Sequence, residues 1–373
     1  MNTLEKVKIL GDAGKYDLCA SSASNRSKSF GNLGKTIAPG ICKSFTPDGR
    51  CVTLFKVLYT NSCNHDCKYC GNSTNCNKNI TSFEPEELAK SFMQLYMQNY
   101  VEGFFLSSGI VKDSDYTMQK MITAVELLRN KYSFNGYVHL KILPGTSRNL
   151  IEQAASLSDR ISLNLETPNS SRMSELSSVK EYKLDLLRTF RIMREQNVPS
   201  GTTTQFVVGC AGESDYELLN RTNWMYENMN LRRAYFSAFL PVPKTPLEHV
   251  PKTPLEREHR LYQVDFLMRK YGVKFHNIKL IFSDDKNLPE GDPKIFLADK
   301  LLKYPLNPNT ASCEELLKIP GIGPVSVKRI TDYRIMKNIT KLAQLKSLGV
   351  VVKRALPYLD INGAVQRRIG DFS

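Results

Sequence analysis

Cys63, Cys67 and Cys70 stand in a C-x3-C-x2-C spacing inside TNSCNHDCKYCGN. Three thiolates from one short loop can hold three irons of a four-iron, four-sulfur cluster and leave the fourth iron open to bind a substrate. Zinc is the competing ligand set for the same loop, with His65 or Cys76 as a fourth donor, although structural zinc sites usually draw on two separated pairs. A fully ligated electron-transfer cluster that enlists Cys76 is the third reading. The opening residues MNTLEKVKILGDAGKYD lack the apolar run of a signal peptide, and no stretch approaches the length of a membrane helix. The expectation is a cytoplasmic, reducing setting without membrane association, where nine cysteines are read as ligands, catalytic thiols or packing residues before disulfides.

A loop of this kind needs a scaffold. VTLFKVLYT, just before it, is a β-branched and aromatic run of strand length, and EPEELAKSFMQLYMQNY, just after, has helical apolar spacing. The unit recurs: GFFLSS precedes a helix over 115–131, YVHLKIL one over 147–158, RISLNLE one over 182–196, TTTQFVVG one over 213–229 and RRAYFSAF one over 254–272. Six strands alternating with six helices predict a parallel sheet with right-handed crossovers, in an α/β class. The economical form is a partial (βα)6 barrel over residues 51–284, with a doubly wound open sheet as its rival. Residues 1–50 are rich in Ser, Gly, Asn and Lys and read as a loop-rich extension; 285–300, which opens with DKNLPEGDPK, reads as a linker, and 301–373 as a small all-α domain.

The cysteine spacing, Tyr69 just before the third cysteine, and the position after the first strand of an α/β repeat resemble the radical S-adenosylmethionine superfamily. That resemblance implies a [4Fe-4S] cluster whose open iron chelates S-adenosyl-L-methionine, and an electron transfer that yields a 5′-deoxyadenosyl radical. It also gives later segments a role. FFLSSG ends the second strand, and Ser107, Ser108 and Gly109 would present backbone groups to the methionine amino group, as a Gly-Gly-Glu type turn does in the superfamily; here the typical acidic residue is missing and hydroxyls stand in. In SLNLE the alternation puts Ser162, Asn164 and Glu166 on one face, so Asn164 and Glu166 either contact the ribose or carboxylate or cap the next loop. Gly209, in the turn closing the fifth strand, lies where adenine packs in the superfamily. Cys210, at the mouth of that strand, is either a hydrogen-atom donor to a substrate radical or a small packing residue beside the adenine.

The charge balance points to a second function. The chain has 51 basic and 37 acidic residues, a net charge of +14, and residues 301–373 hold 12 basic against 5 acidic, a surplus of +7. Such a tail favours a polyanion. Within it LLKIPGIGPVSVKRI matches a helix-hairpin-helix: Ile319 and Ile322 are its apolar positions, Gly321 and Gly323 permit a tight turn whose amides can meet a phosphate, and Lys328 and Arg329 follow on the second helix. A hairpin used only for packing is the alternative.

With both motifs, the blocks DAGKYDLCASSAS and GICKSFTPDGRCVTLFKVLYTNSC, and YFSAFLPVPKTPLE after the sixth strand, the sequence resembles DNA modification or repair radical S-adenosylmethionine proteins with a C-terminal helix-hairpin-helix. This resemblance implies a DNA substrate, a low-potential electron donor such as flavodoxin or ferredoxin, and a uracil-DNA-glycosylase-like partner. RNA modification and a non-catalytic DNA-binding iron-sulfur scaffold or redox sensor are the rival functions. Cys19, Cys42 and Cys51 could hold an auxiliary cluster, although their spacing is not diagnostic.

Overall fold

The expected strands form a single sheet in the computed structural model, which describes residues 1–14, 40–45, 51–76 and 78–361. Its seven strands run β1 (Ile41–Phe45), β2 (Cys51–Leu58), β3 (Gly103–Ser107), β4 (Tyr137–Lys141), β5 (Arg160–Ser162), β6 (Thr202–Val208) and β7 (Leu231–Ala238), side by side in chain order. Strands β2 to β7 are parallel, and β1 is an antiparallel edge strand on β2. Sequential order with helical crossovers is the topology of a partial α/β barrel, as the alternation of elements predicts. The antiparallel edge was not anticipated: it comes from the segment read as loop-rich, which also begins with helix α1 (Thr3–Ala13), capped by Asn2 in a reciprocal capping box with Glu5.

Helices α2 (Pro85–Met97), α3 (Ser114–Glu126), α4 (Arg148–Leu157), α5 (Ser170–Leu176), α6 (Arg188–Arg194) and α7 (Asp215–Asn228) follow the parallel strands. Their starts are chemically marked. Pro85 occupies the first turn of α2 behind a Glu84/Glu87 capping box, Asp113 accepts from the Tyr116 amide at α3, and Asn169 accepts from the Arg172 amide at α5. The expected helix over 182–196 divides into a π-helical turn (Tyr182–Leu187) and α6, with α5 inserted before it. Between sheet and helices the packing is aromatic: Phe55 stacks on Phe104 at 5.9 Å, and Phe92 of α2 lies 5.0 Å from Phe104 and 4.9 Å, edge-on, from Phe134.

The chain divides into two compact units, Met1–Glu213 with Arg221–Pro254, and Ser214–Asn220 with Leu255–Ser373. The second unit holds α8 (Leu255–Tyr271), α9 (Phe275–Ile278), α10 (Pro293–Leu301), α11 (Cys313–Lys318), α12 (Pro324–Met336), α13 (Leu342–Ser347) and α14 (Val352–Ala355). Ser214–Asn220 join it through Asp215, whose buried carboxylate pairs with Arg257 at 2.7 Å and accepts from the Leu288 amide at 3.0 Å. The stretch 285–300, expected as a linker, contains α10, because Asp292 caps it and Pro293 opens its first turn. Ala298 of α10 belongs to the same apolar core as Ile319, Ile322, Ile330, Leu345 and Leu359. Among the described residues, no helix is long and apolar enough to cross a membrane.

Candidate functional site

Strand β2 ends at Leu58, and the chain then forms the loop that carries the three cysteines, at the end of the parallel strands where α/β barrels keep their sites. Cys67 is buried, and Cys63 and Cys70 are partly so. The loop is fastened at its middle. Asp66 accepts from the Ser177 hydroxyl at 2.5 Å and from the Ser178 amide and hydroxyl at 2.9 and 2.6 Å; burial would raise its carboxyl, but these donors hold it well below the usual carboxylate range. The Lys68 amide donates to Leu176 O, and its ammonium to Glu175 O. Gly109 holds the other side, since a Cβ there would stand 2.1 Å from Ser62 O and 3.1 Å from Cys63 Cβ. Only a glycine lets the β3 turn lie against the cysteine loop at that distance.

Lys180, which the sequence did not single out, lies against this loop. It is hydrogen-bonded to Cys67; burial would lower its ammonium, but Cys67, Glu166 and Cys70 hold it above the ordinary lysine range. Burial pushes the Cys67 thiol up and the Cys70 thiol to about 12, so metal binding at these thiols must displace protons. His65 is held neutral, lowered to about 4 chiefly by burial and then by Lys180, and its Nδ1 is buried with no hydrogen-bond partner. Cys76 is engaged elsewhere, its thiol donating to Cys70 O and Lys244 O.

Among the described residues, no three or more His, Cys, Asp or Glu side chains converge on one metal-ion position. A cuboidal cluster asks for something else, one thiolate on each of three irons. The fit to a cluster with a polar cosubstrate rests on the neighbouring atoms: Ser108 Oγ and Glu166 Oε2 are both buried without a hydrogen-bond partner, which is costly unless a ligand completes them. Both are among the residues expected to touch a cofactor. Glu166 shares one electrostatic neighbourhood with Lys180, Cys67, Tyr69 and Cys210.

The other residues singled out from the sequence lie in differing settings. Ser107 ends β3 with its carbonyl accepting from the Tyr59 amide, so that group is committed to the chain. Asn164 is buried, but the strand stops at Ser162, and Glu166 reaches its place through a left-handed backbone (φ 63°) and a bridge to Phe206 rather than by simple alternation. The Gly209 and Ala211 amides both donate to Glu213, which ties the turn after β6. Cys210 donates to Val207 O at 3.3 Å and packs with Leu176, Ala211, Phe239 and partly buried Tyr69, and burial pushes its thiol up. Of the three cysteines weighed for a further cluster, Cys19 lies outside the described residues, Cys51 opens β2, one strand length of about 23 Å from the strand's loop end, and Cys42 of β1 pairs opposite Leu54 near the middle of β2.

In the second unit the segment expected as a helix-hairpin-helix comprises α11, the turn 319–323 and α12. The side chains of Ile319 and Ile322 are wholly buried, so these two residues can offer a ligand only backbone. Gly321 (φ 84°) is required by packing within the unit: its Cβ would stand 2.5 Å from Val351 O, and its own carbonyl accepts from the Val351 amide at 2.9 Å. Its partner is a second, shorter pair of helices, α13 and α14. The contact is reciprocal, since Ser326 of α12 donates to Gly349 O in the second turn at 2.8 Å. Gly323 gives α12 no side-chain cap, and Lys328, Arg329 and Lys353 are exposed.

A strand-ordered partial barrel with an open three-cysteine loop defines a class. Residues 57–224 match the family model described as the Radical SAM superfamily. The match runs from the end of β2 into α7 and is a likeness to the radical S-adenosylmethionine domain, whose family uses a [4Fe-4S] cluster and S-adenosylmethionine. No curated protein matches the sequence. Solved structures similar to it include HydG, a maturase of the [FeFe]-hydrogenase (13% identity, 57% of this chain and 48% of that chain, TM-score 0.47), and methylornithine synthase, PylB (14%, 57% and 60%, 0.47). A radical SAM methyltransferase from Sphaerobacter thermophilus is also similar (14%, 61% and 70%, 0.44). The chain's match spans about half the length of HydG.

Proposed function

We propose that this radical SAM enzyme acts on DNA, abstracting hydrogen from a nucleotide in a repair or modification reaction. Cys63, Cys67 and Cys70 hold the cluster; Ser108, Glu166 and Lys180 take the polar groups of S-adenosylmethionine, with Tyr69, Gly109, Asn164 and the Gly209 turn around it. When bound, that pair of cofactors supplies a one-electron cleavage and an organic radical able to take a hydrogen atom. The protein's own part is positional. Asp66 clamps the loop, Gly109 admits it against β3, and Lys180 offsets thiolate charge. Electrons come from a low-potential donor of the flavodoxin or ferredoxin kind.

The observation that carries DNA is the hairpin: uncapped first-turn amides on a 13-residue helix beside exposed Lys328 and Arg329, in the half of the charge surplus that lies beyond residue 300. Contacts of this kind grip phosphates with little sequence preference. Binding of full-length protein to duplex DNA, single-stranded DNA and duplex RNA tests the reading. Tightest binding to DNA is expected, weakened in a Lys328→Gln/Arg329→Gln variant; equal binding by that variant, or a preference for RNA, overturns it.

A further inference from the structure

Cys67 sits between two fastenings of the cysteine loop. Before it, Asp66 accepts from the Ser177 hydroxyl at 2.5 Å; after it, the Lys68 amide donates to Leu176 O at 2.9 Å. Residues 66–68 and 176–178 therefore lie against each other, with Cys67 between the two ties at only 6% exposure. The Ser177 oxygen also accepts from the amides of Val179 at 3.3 Å and Lys180 at 3.2 Å, which closes residues 177–180 into a tight turn. One hydroxyl thus anchors both the loop, through Asp66, and the backbone of Lys180. The Lys180 side chain is thereby held where its ammonium meets the Cys67 sulfur.

The loop sulfurs differ in what they accept. Cys70 Sγ takes the neutral backbone amide of Asn72 at 3.4 Å, whereas Cys67 takes a charged donor. A second lysine, Lys78, lies in the electrostatic neighbourhood of Cys63 and Cys70, but its ammonium donates to Ser73 O at 2.9 Å. Lys78 therefore acts on the thiols through its field, and Lys180 through both its field and a direct hydrogen bond. Hydrogen bonds to sulfur and local charge are levers that set an iron-sulfur reduction potential. Reduction adds negative charge to a group that three thiolates already make electron-rich, so a fixed ammonium stabilises the reduced form more than the oxidised one. Burial around Cys67 limits the screening of that difference by water and salt.

We infer that Lys180 sets the reduction potential of the cluster held by Cys63, Cys67 and Cys70, acting through the Cys67 sulfur and raising that potential toward what a low-potential donor protein can supply. The inference rests on the assignment of these cysteines as the cluster's ligands and is independent of DNA as substrate. Lys180 is a positioning residue in this role: it touches a ligand and not the reacting bond. The same ammonium was assigned above to the polar groups of S-adenosylmethionine, so the two roles have to be measured apart.

A redox titration of the anaerobically reconstituted full-length protein, followed by electron paramagnetic resonance without S-adenosylmethionine, tests this. Lys180→Met should lower the midpoint by about 59 mV, a tenfold change in the ratio of oxidised to reduced cluster for a one-electron couple. Lys180→Arg, which keeps a charged donor, should recover most of the loss. Lys180→Gln, a neutral donor, should fall between Lys180→Met and the parent, and Lys78→Met should shift the midpoint less than Lys180→Met. Iron per chain shows which variants are loaded, and Lys180→Gln carries the test where Lys180→Met is not. A parent-like midpoint in the loaded neutral variants, or a Lys78→Met shift as large as that of Lys180→Met, overturns the inference. Failure of the reading beneath it looks different: a parent protein that keeps its iron and its midpoint in Cys67→Ala overturns the ligand assignment, and this inference with it. A lowered midpoint in Lys180→Met with parent-like affinity for S-adenosylmethionine supports the inference and removes Lys180 from the cosubstrate contacts.

Discussion

Cys67 is the most deeply placed of the three loop thiols and the one that Lys180 meets, so its replacement tests the site most sharply. Cys67→Ala should lose the cluster and abolish formation of 5′-deoxyadenosine, whereas Cys76→Ala, whose thiol is engaged with Cys70 O and Lys244 O, should keep both. Iron per chain, expected near about four in the parent protein, and mass spectrometry of the nucleoside product read the difference. Gly109 is a positioning residue with a separate readout. Gly109→Ala forces a methyl to within 2.1 Å of Ser62 O, and overpacking of that kind costs about 1–3 kcal/mol. Because the clash lies between backbone segments, neither side can turn a rotamer away. The expected result is a lower melting temperature already in the iron-free protein, together with poorer cluster retention; parent-like melting would show that the loop has another resting place.

The hairpin element carries its own titration. Lys294 of α10 donates to Ile322 O at 2.6 Å and lies over the Tyr271 ring at 4.4 Å, and burial lowers its ammonium from 10.5 to about 7. The folded state therefore gives up this proton near pH 7, and the unfolded chain keeps it until about 10.5. Between those values the unfolded state binds more protons, so stability of this element rises with pH; below about 7 both states are protonated and this contribution is flat. Hydrogen exchange of α12 amides, corrected for intrinsic rates, should show greater protection at about pH 9 than at about pH 6. Lys294→Met should remove the difference. A slope that survives the substitution would assign it to another group.

For the whole molecule, the two compact units determine how nucleic-acid binding has to be tested. Removing residues 301–373 would cut through the core that Ala298 shares with Ile319 and Leu359, and would strip Asp292 of Arg354 and Asp299 of Tyr358. Charge-neutral point variants avoid this. Lys328→Gln and Arg329→Gln should each flatten the log-log dependence of duplex affinity on salt by about one unit if the side chain neutralises a phosphate. Cleavage of S-adenosylmethionine without DNA should be unchanged, because the cysteine loop and the atoms around it lie within the first unit. An unaltered salt slope would leave the hairpin as a packing element.

Local chemistry made much of this legible. Six strand runs, each followed by helical periodicity, sufficed for the parallel order, because connections of that length close only one way. The cysteine spacing marked the loop, and the Pro-Gly-Ile-Gly turn marked the hairpin, since both depend on residues close in sequence. Other features depend on contacts between distant segments. Lys180 reaches Cys67 from more than a hundred residues away, and Glu166 takes its place through a bridge to Phe206 that alternation along its own strand cannot express. Gly321 and Gly109 are required by the backbones of Val351 and Ser62, partners that no local rule for glycine identifies. The cations of the barrel wall are single residues on separate strands, Lys56, Lys141, Arg160 and Arg233, each unremarkable in its own window. Only the parallel register sets them along two rungs of one face.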